Sequence, residues 1–429
     1  MLSQLLATLL LDTVAKVGLD MSKCAGLGFD GASAMMGKYN GCAAIIQRKF
    51  PGATPVHCFN HCLNLVLSKA CETKEVKLAL HTMTEVYNFI YASNMRSLRF
   101  GDLLKETLPQ KRRQKLVQLC PTRWVERHDA VQVFVELLPA VALFLEQEAE
   151  NDGRAGLLLI ALRESKFLVG LLVADSVLAH TVSASKTLQS RTGDLVNAHK
   201  TIESIQTAID DQRNRAEETF QLIFHRVEEL LTDVGSENAT VPLPRVCGRQ
   251  TQRSNVEASS AEEYYRRSVF LPFIDFVASE LRRRFGDASA HALLFVSELL
   301  KGPSMDVENF MKAVDASGHG ETLARAEAER WRKTAPAFDR LTDAHEYASS
   351  RLFPIASSLI VHLLTLPVTN AEAERSFSTL KRLKTYLRST MTQERVNGLA
   401  LLAVHKEVTV DTQLLIDRFA QKNRRLMFV

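Results

Sequence analysis

The sequence lacks the features that mark stapled, fibrous, membrane-spanning or polyanion-coating chains. Its seven cysteines (Cys24, Cys42, Cys58, Cys62, Cys71, Cys120 and Cys247) are odd in number and scattered over 429 residues. That is not the framework of a secreted disulfide scaffold, and it points to a reducing compartment. Glycine (19) and proline (12) are too few for a collagen-like or low-complexity polymer. An excess of one charge is missing too: 53 Lys and Arg against 49 Asp and Glu leave only +4, so any nucleic-acid surface has to be local. No apolar run reaches the roughly 20 residues of a membrane span. The greasiest stretch, 157–178, is broken by Arg163, Glu164, Lys166 and Asp175, and the leading run 2–11 has neither a basic start nor a small-residue cleavage site. Neither membrane insertion nor secretion is expected.

What remains, 46% apolar and 24% charged residues, is a globular composition long enough for two or three domains. Leu2, Leu5, Leu6, Leu9, Val14 and Val17 share a helical stripe, which reads as a buried helix face. Residues 24–30 alternate with Ala25, Leu27 and Phe29 on one side, as a short strand does. A helix is expected from Gly31 to Phe50, stopped by Pro51-Gly52, then a strand over 54–59 and a helix carrying Leu63, Val66, Leu67 and Ala70. Strand, helix, strand, helix favours a parallel α/β unit, because parallel neighbours need a crossover. From 72 to 353 the pattern is almost wholly helical, with surface loops expected at 235–260 and 302–320. Ser260-Ala-Glu-Glu263 reads as a capping box opening a long helix through Phe270, Phe273, Phe276 and Leu281. Thr369-Asn-Ala-Glu372 reads as a second, before a helix with Ala373, Phe377, Leu380, Leu383 and Leu387 on one face. A last helix carries Val396, Leu399, Leu402 and Val404. The expected fold class is mostly α with a small α/β part.

Four places could carry chemistry. Asp30 closes the first strand, where open α/β sheets bind ligands, and could hold Mg²⁺; equally, it could cap the next helix. His57-Cys58-Phe59-Asn60-His61-Cys62 packs four potential metal ligands into six positions, inviting zinc, yet no second pair follows at finger spacing and a structural turn accounts for it as well. Trp124 is one of two tryptophans, suited to a core or to stacking on a base. Glu374 lies beside the apolar stripe of its helix, followed by Ser378, Lys381 and Thr385, either as a functional edge or as a solvated one. Lys381, Arg382, Lys384 and Arg388, with Lys111-Arg-Arg-Gln-Lys115 and Arg282-Arg-Arg284, could contact phosphates, though solvated helix faces look the same.

Four ordered motifs, Gly28-Phe-Asp30-Gly-Ala-Ser-Ala-Met-Met-Gly-Lys-Tyr-Asn-Gly41, Val56-His-Cys-Phe-Asn-His61, Cys120-Pro-Thr-Arg-Trp-Val-Glu-Arg-His128 and Ala371-Glu-Ala-Glu-Arg-Ser-Phe-Ser378, resemble the hAT superfamily of cut-and-paste DNA transposases and its host-adopted relatives of the zinc finger MYM type. The resemblance implies an RNase H-like core interrupted by a large all-helical insertion domain. It divides the chain into a partial core at 1–118 without its first strands, an insertion at 119–343, a C-terminal dimerisation region at 344–408 completing the core, and a tail at 409–429. Asp30 and Glu374 match the second and third of three metal-binding acids, Cys58 and His61 the Cys-x-x-His element, and Trp124 the tryptophan at the insertion's entrance. Only 29 residues precede Asp30, and neither Asp12 nor Asp20 stands where the first acid belongs. A catalytically incomplete, transposase-derived chain is therefore expected, using no cofactor; Mg²⁺ or Mn²⁺ would enter only with an upstream Asp. Its expected partner is itself, through Phe377, Leu380, Leu387, Leu399 and Leu402. The alternatives are an active transposase, should the chain be a fragment, and a DNA-binding regulator of transcription using Lys381, Arg382, Lys384 and Arg388. The resemblance implies a nuclear location, and composition also allows a cytoplasmic one.

Overall fold

The computed structural model describes residues 2–110, 113, 115–119, 124–188, 194–236, 240–245, 256–286, 295–317, 320–385 and 390–421, without the side chains of 124–127, 316, 317 and 372. The chain divides into two compact units, Met1–Thr369 and Asn370–Val429. The first opens with α1 (Leu2–Lys16), β1 (Gly26–Phe29), α2 (Ser33–Met36), α3 (Cys42–Lys49), β2 (Thr54–His57) and α4 (Phe59–Ala70). β1 and β2 pair in parallel, Gly26 opposite Thr54 and Phe29 opposite His57, with α2 and α3 as the crossover. Leu27 and Phe29 face a small core of Cys42, Ala43, Ile46 and Ala53.

Two expectations fail in this opening part of the unit. The helix expected from Gly31 to Phe50 is two helices, because residues 37–41 turn tightly: Gly41 donates its N–H to the Gly37 carbonyl at 2.8 Å. A Cβ on Gly41 would lie 2.4 Å from the Gly37 nitrogen, so the turn excludes side chains there. The α1 stripe is not a buried face either. Only Ala7 is buried, while Leu2, Leu5, Leu9 and Val17 lie open and Leu6, Leu10 and Leu11 touch the small core. Leucines all round a helix cannot all be covered by a two-stranded unit, so one side is left over.

The helical mass follows: α5 (Lys74–Tyr91), α6 (Asn94–Thr107), α7 (Trp124–Ala149), α8 (Gly153–Leu162), α9 (Ser165–Leu188), α10 (Leu195–Asn214), α11 (Ala216–Asp233), then α12 (Ala261–Tyr265) passing through a π turn into α13 (Leu271–Phe285). After a 3₁₀ segment, Phe295–Ser304, come α14 (Val307–Ser317), α15 (Glu321–Thr334), α16 (Leu341–Ser350) and α17 (Pro354–Thr365). One apolar core runs through them from Val56 to Val368. α9 lies in its middle, every side chain from Phe167 to Ala174 being buried. Both α9 and the 128–149 part of α7 are long and apolar enough to cross a membrane, and 67% of each apolar window is buried within the fold.

The loop expected at 302–320 holds α14 instead, because Val307, Phe310, Met311 and Val314 recur at helical spacing and all four are buried. Of 235–260, the described residues 235–236, 240–245 and 256–260 form neither helix nor strand. Ser260 caps α12 by accepting the Glu263 N–H at 3.1 Å, but Glu263 reaches back to the N–H and hydroxyl of Ser259, one residue before the partner a capping box requires. Trp331 fills an aromatic box with Phe338, Tyr347 and Phe353 and donates its indole N–H to the Leu299 carbonyl at 3.0 Å.

The second unit holds α18 (Ala371–Leu383), α19 (Gln393–Val404) and α20 (Thr412–Ala420), the last inside the stretch expected to be a tail. Among its described residues only Ala371 and Val396 are buried. At the expected second capping box, α18 takes Asn370 as its N-cap, and the Glu372 side chain lies outside the described residues.

Candidate functional site

The parallel pair ends at Asp30 and Cys58, and the segment after α17 closes over it. Cys58 donates its N–H to the Phe29 carbonyl at 3.0 Å, Phe59 donates to the Val368 carbonyl at 3.1 Å, and Thr54 Oγ1 lies 3.4 Å from His362 Nε2. A Cβ on Gly26 would come within 2.7 Å of Pro367, so strand and closing segment are in contact. Residues more than 300 positions apart thus build one end of the sheet; the Cys58 thiol donates to Thr369 Oγ1 at 3.9 Å across that gap.

Asp30 is exposed at the carboxyl end of β1, and its Oδ1 accepts the Ala32 N–H at 3.3 Å. That bond closes a turn and does not cap α2, whose N-cap is Ala32. His61 is half-buried on the first turn of α4, and its ring lies over Gly31: a Cβ there would be 3.5 Å from His61 Cδ2 and 3.6 Å from Nε2. Asp30, Cys58 and His61 are therefore gathered at one sheet end. Asn60, between the last two, is buried and accepts the Ser185 hydroxyl at 3.0 Å, anchoring α4 to α9. Asn60 turns inward because it shares the buried face of α4 with Leu63 and Leu67, three and seven positions on. Among the described residues no group of three or more His, Cys, Asp or Glu side chains could hold a metal ion. The donor set at the sheet end thus fits neither zinc nor a pair of divalent cations, and no chemical step is derived through one.

The other expected residues lie elsewhere. Trp124 opens α7, with its side chain outside the described residues, as are Leu387 and Arg388 altogether. Glu374 is on α18 in the second unit and exposed. On the same helix Phe377 is 69% exposed and Leu380 half-buried; on α19, Leu402 is 60% exposed and Leu399 half-buried.

The basic clusters differ in how they are engaged. Arg113 forms two 2.6 Å bonds with Asp129, Arg282 pairs with Asp210, and Lys69, Arg283 and Arg284 converge on Glu280. The Arg283 guanidinium, helped by Lys69 and Arg284, holds the Glu280 carboxyl down to about 2. Cations committed to carboxylates are poor phosphate ligands, because the existing pair has to be broken first. Lys381, Arg382 and Lys384 are exposed and form no ion pair among the described residues, Arg382 donating to Thr379 Oγ1 at 3.2 Å.

Residues 345–408 match the hAT family C-terminal dimerisation region. The chain carries a hAT dimerisation region. The chain is also 27% identical, over 431 aligned positions, to the 52 kDa repressor of the inhibitor of the protein kinase of Mus musculus, and 27% identical over 430 to that of Homo sapiens. Each alignment takes in 94% of this chain and 56% of the relative, so the chain spans about half the length of the curated relatives it matches. The matched region includes α17 in the first unit and both α18 and α19 in the second.

Proposed function

We propose that this is a transposase-derived chain whose working property is self-association, through the exposed apolar faces of α18 and α19. The observation that carries the reading is that Phe377, Leu401 and Leu402, inside the matched dimerisation region, lie open to solvent in a single chain. Interfaces between copies that stay together are built from such residues, whereas a self-sufficient unit would bury them. In sedimentation velocity the unaltered chain is expected to run as a dimer or larger assembly. Leu399→Asp with Leu402→Asp should weaken association at least a hundredfold, because a charge left unpaired in a packed interface is costly. Unchanged sedimentation of that double variant would sink the reading.

The finer architecture, an RNase H-like core interrupted by a helical insertion, belongs to the same proposal. Its support is the contact of 366–369 with β1 and α4, and of His362 on α17 with Thr54 on β2, which joins the first seventy residues to the end of α17 with the helical mass between. Catalysis is not part of the proposal. Asp30 and Glu374 match two acids of a three-acid set. Asp30→Asn is expected to leave self-association unchanged, and a metal-dependent DNA nicking activity lost in that variant would restore the enzymatic reading. A regulatory use agrees with the relatives' name, which is that of a repressor.

DNA binding is the second reading, favoured by the exposed Lys381, Arg382 and Lys384, which form no ion pair among the described residues. It requires affinity to fall steeply with salt, and to fall less steeply once these three are replaced by Gln. A salt-independent interaction, or none, would exclude it.

A further inference from the structure

We propose that the groove between α9 and α10 binds a phosphate group, free or as the monoester of a small molecule, through the Lys200 ammonium and the Ser204 hydroxyl of α10 and the Ser183 hydroxyl of α9. The groove belongs to the first unit, and its use does not depend on self-association.

α9 and α10 run antiparallel, and Gln212 Nε2 donates to Ser176 Oγ at 2.8 Å, tying the two helices together at one end. Beyond that bond their facing positions are small, Ala179, Ser183 and Thr187 on one side and Thr201, Ser204 and Ala208 on the other, and a groove of about 780 Å³ opens between them. Small-molecule sites commonly have about 300–1,000 Å³. The floor is apolar, with Ala184 and Ile205 buried, and the walls are polar.

Charge and free donors decide what the groove takes. Among its described lining residues there is no Asp or Glu, and Lys200 forms no ion pair among the described residues. Every acid of the two helices is engaged elsewhere: Asp175 with His128 at 3.3 Å, Glu203 with His199 at 3.4 Å, Asp210 with Arg282 and Asp211 with Arg215. Asp194, which caps α10, accepts the N–H and Nδ2 of Asn197 at 2.8 and 2.7 Å. The hydroxyls divide in the same way. Thr187 and Thr201 donate to the Ser183 and Asn197 carbonyls at 3.0 and 2.7 Å, whereas the Ser183 and Ser204 hydroxyls have no acceptor among the described residues. Lys200 and Ser204 stand one turn apart on one face of α10, and Ser183 lines the opposite wall. A cation and hydroxyl protons on two walls suit a tetrahedral oxyanion, whose terminal oxygens accept from several directions. A nucleic-acid strand would call for cations at successive phosphates, and this groove offers one lysine. The apolar floor leaves room for the organic body of an ester.

The test is calorimetric titration of the full chain with inorganic phosphate, ribose 5-phosphate and adenosine 5′-monophosphate, with adenosine as the reference without phosphate. Saturable binding of at least one phosphate at millimolar concentration or below is expected. Lys200→Gln should weaken it at least about tenfold, and Ser183→Ala with Ser204→Ala about three- to tenfold, because hydrogen bonds to an ion are lost. Lys186→Gln, on α9 but outside the groove, should leave it within about twofold, since a screened surface charge acts weakly at a distance. All three groove residues are exposed, so without ligand the thermal transition of these variants should not move. Inorganic phosphate bound as tightly as the esters would identify the free ion as the ligand, and weaker binding of it, with none of adenosine, would identify the ester; the site stands in both cases. Saturation by none of the phosphates, equal affinity in Lys200→Gln, or a loss in Lys186→Gln as large as in Lys200→Gln would overturn it, and none of these results touches the self-association reading.

Discussion

Glu280 draws three cations, Arg283 at 2.8 Å, Arg284 at 3.2 Å and Lys69 at 3.7 Å, and so ties α4 to α13. Its carboxyl is held at about 2, below its ordinary 4.5. A depressed folded value means stability that is present above the unfolded value and is lost as pH falls through the folded one. The contribution should therefore be complete at neutral pH and disappear between about 4.5 and 2. With Arg283 and Lys69 half-exposed and screened by solvent, it is worth about 1–2 kcal/mol. Glu280→Gln should lower stability in urea by that amount at pH 7 and by progressively less in the acid range, and a pH-independent loss would refute the assignment. Leu352 presents the opposite case, a residue in an unfavourable backbone state. It is the one described non-glycine with positive φ, at 63°, and is 81% exposed after α16, where the Phe353 N–H reaches back to the Ala348 carbonyl at 3.1 Å. Glycine is the residue this helix end favours. Leu352→Gly should raise stability by about 0.5–1 kcal/mol, read as a higher urea midpoint with unchanged slope. Neither residue stands out in the sequence: Glu280 looks like one more surface acid, and Leu352 breaks the rule by which helix ends are recognised. Asp30, Cys58 and His61 were legible because strand alternation and the strand-to-helix turn fix where their backbones go.

At the scale of elements, α5 and α9 cross with almost no space between their backbones at Gly170. A Cβ there would stand 2.5 Å from the Glu75 carbonyl oxygen and 2.9 Å from its carbon. Neither atom can rotate away as a side-chain tip would, so Gly170→Ala has to push the helices apart in the middle of the core. We expect a loss of about 1–3 kcal/mol, measured by chemical denaturation. Gly101→Ala on α6, where a Cβ meets nothing within 4 Å, should instead be neutral or slightly stabilising. Elements with a clean period were legible: both strands, α4 and the long helix of α12 and α13. Two kinds of element were not. The 37–41 turn is set by glycine contacts that no periodicity reports, and α14 was masked by flanking Gly, Ser and Asp that suggested a loop. The buried carboxylate of Glu327, which accepts the Ile355 and Ala356 N–H groups at 3.2 and 2.7 Å, also escapes a pattern reading. It serves as a cap for α17 from a helix twenty-eight positions away.

For the whole molecule, the two units differ in what holds them together. The first has a continuous core from Val56 to Val368; the described residues of the second bury Ala371 and Val396. The all-helical character could be read from period alone, but which helices lack a partner within the chain could not. An apolar stripe on α9 and one on α19 look alike in sequence, and only the packing tells a core helix from one that waits for a second copy. The difference predicts how each unit melts. Unfolding of a self-sufficient unit is unimolecular, so its midpoint does not depend on concentration. A unit that gains its missing apolar contacts from another copy is stabilised by mass action, and its midpoint rises with protein concentration. Thermal denaturation followed by hydrogen exchange should therefore show the α5, α9 and α13 amides opening at a temperature that stays fixed over a hundredfold range of concentration. The α18 and α19 amides should open earlier and shift upward by several degrees over the same range. Shifting of both sets together would mean that association stabilises the entire chain, and a fixed midpoint for α18 and α19 would mean that the second unit holds itself together without another copy.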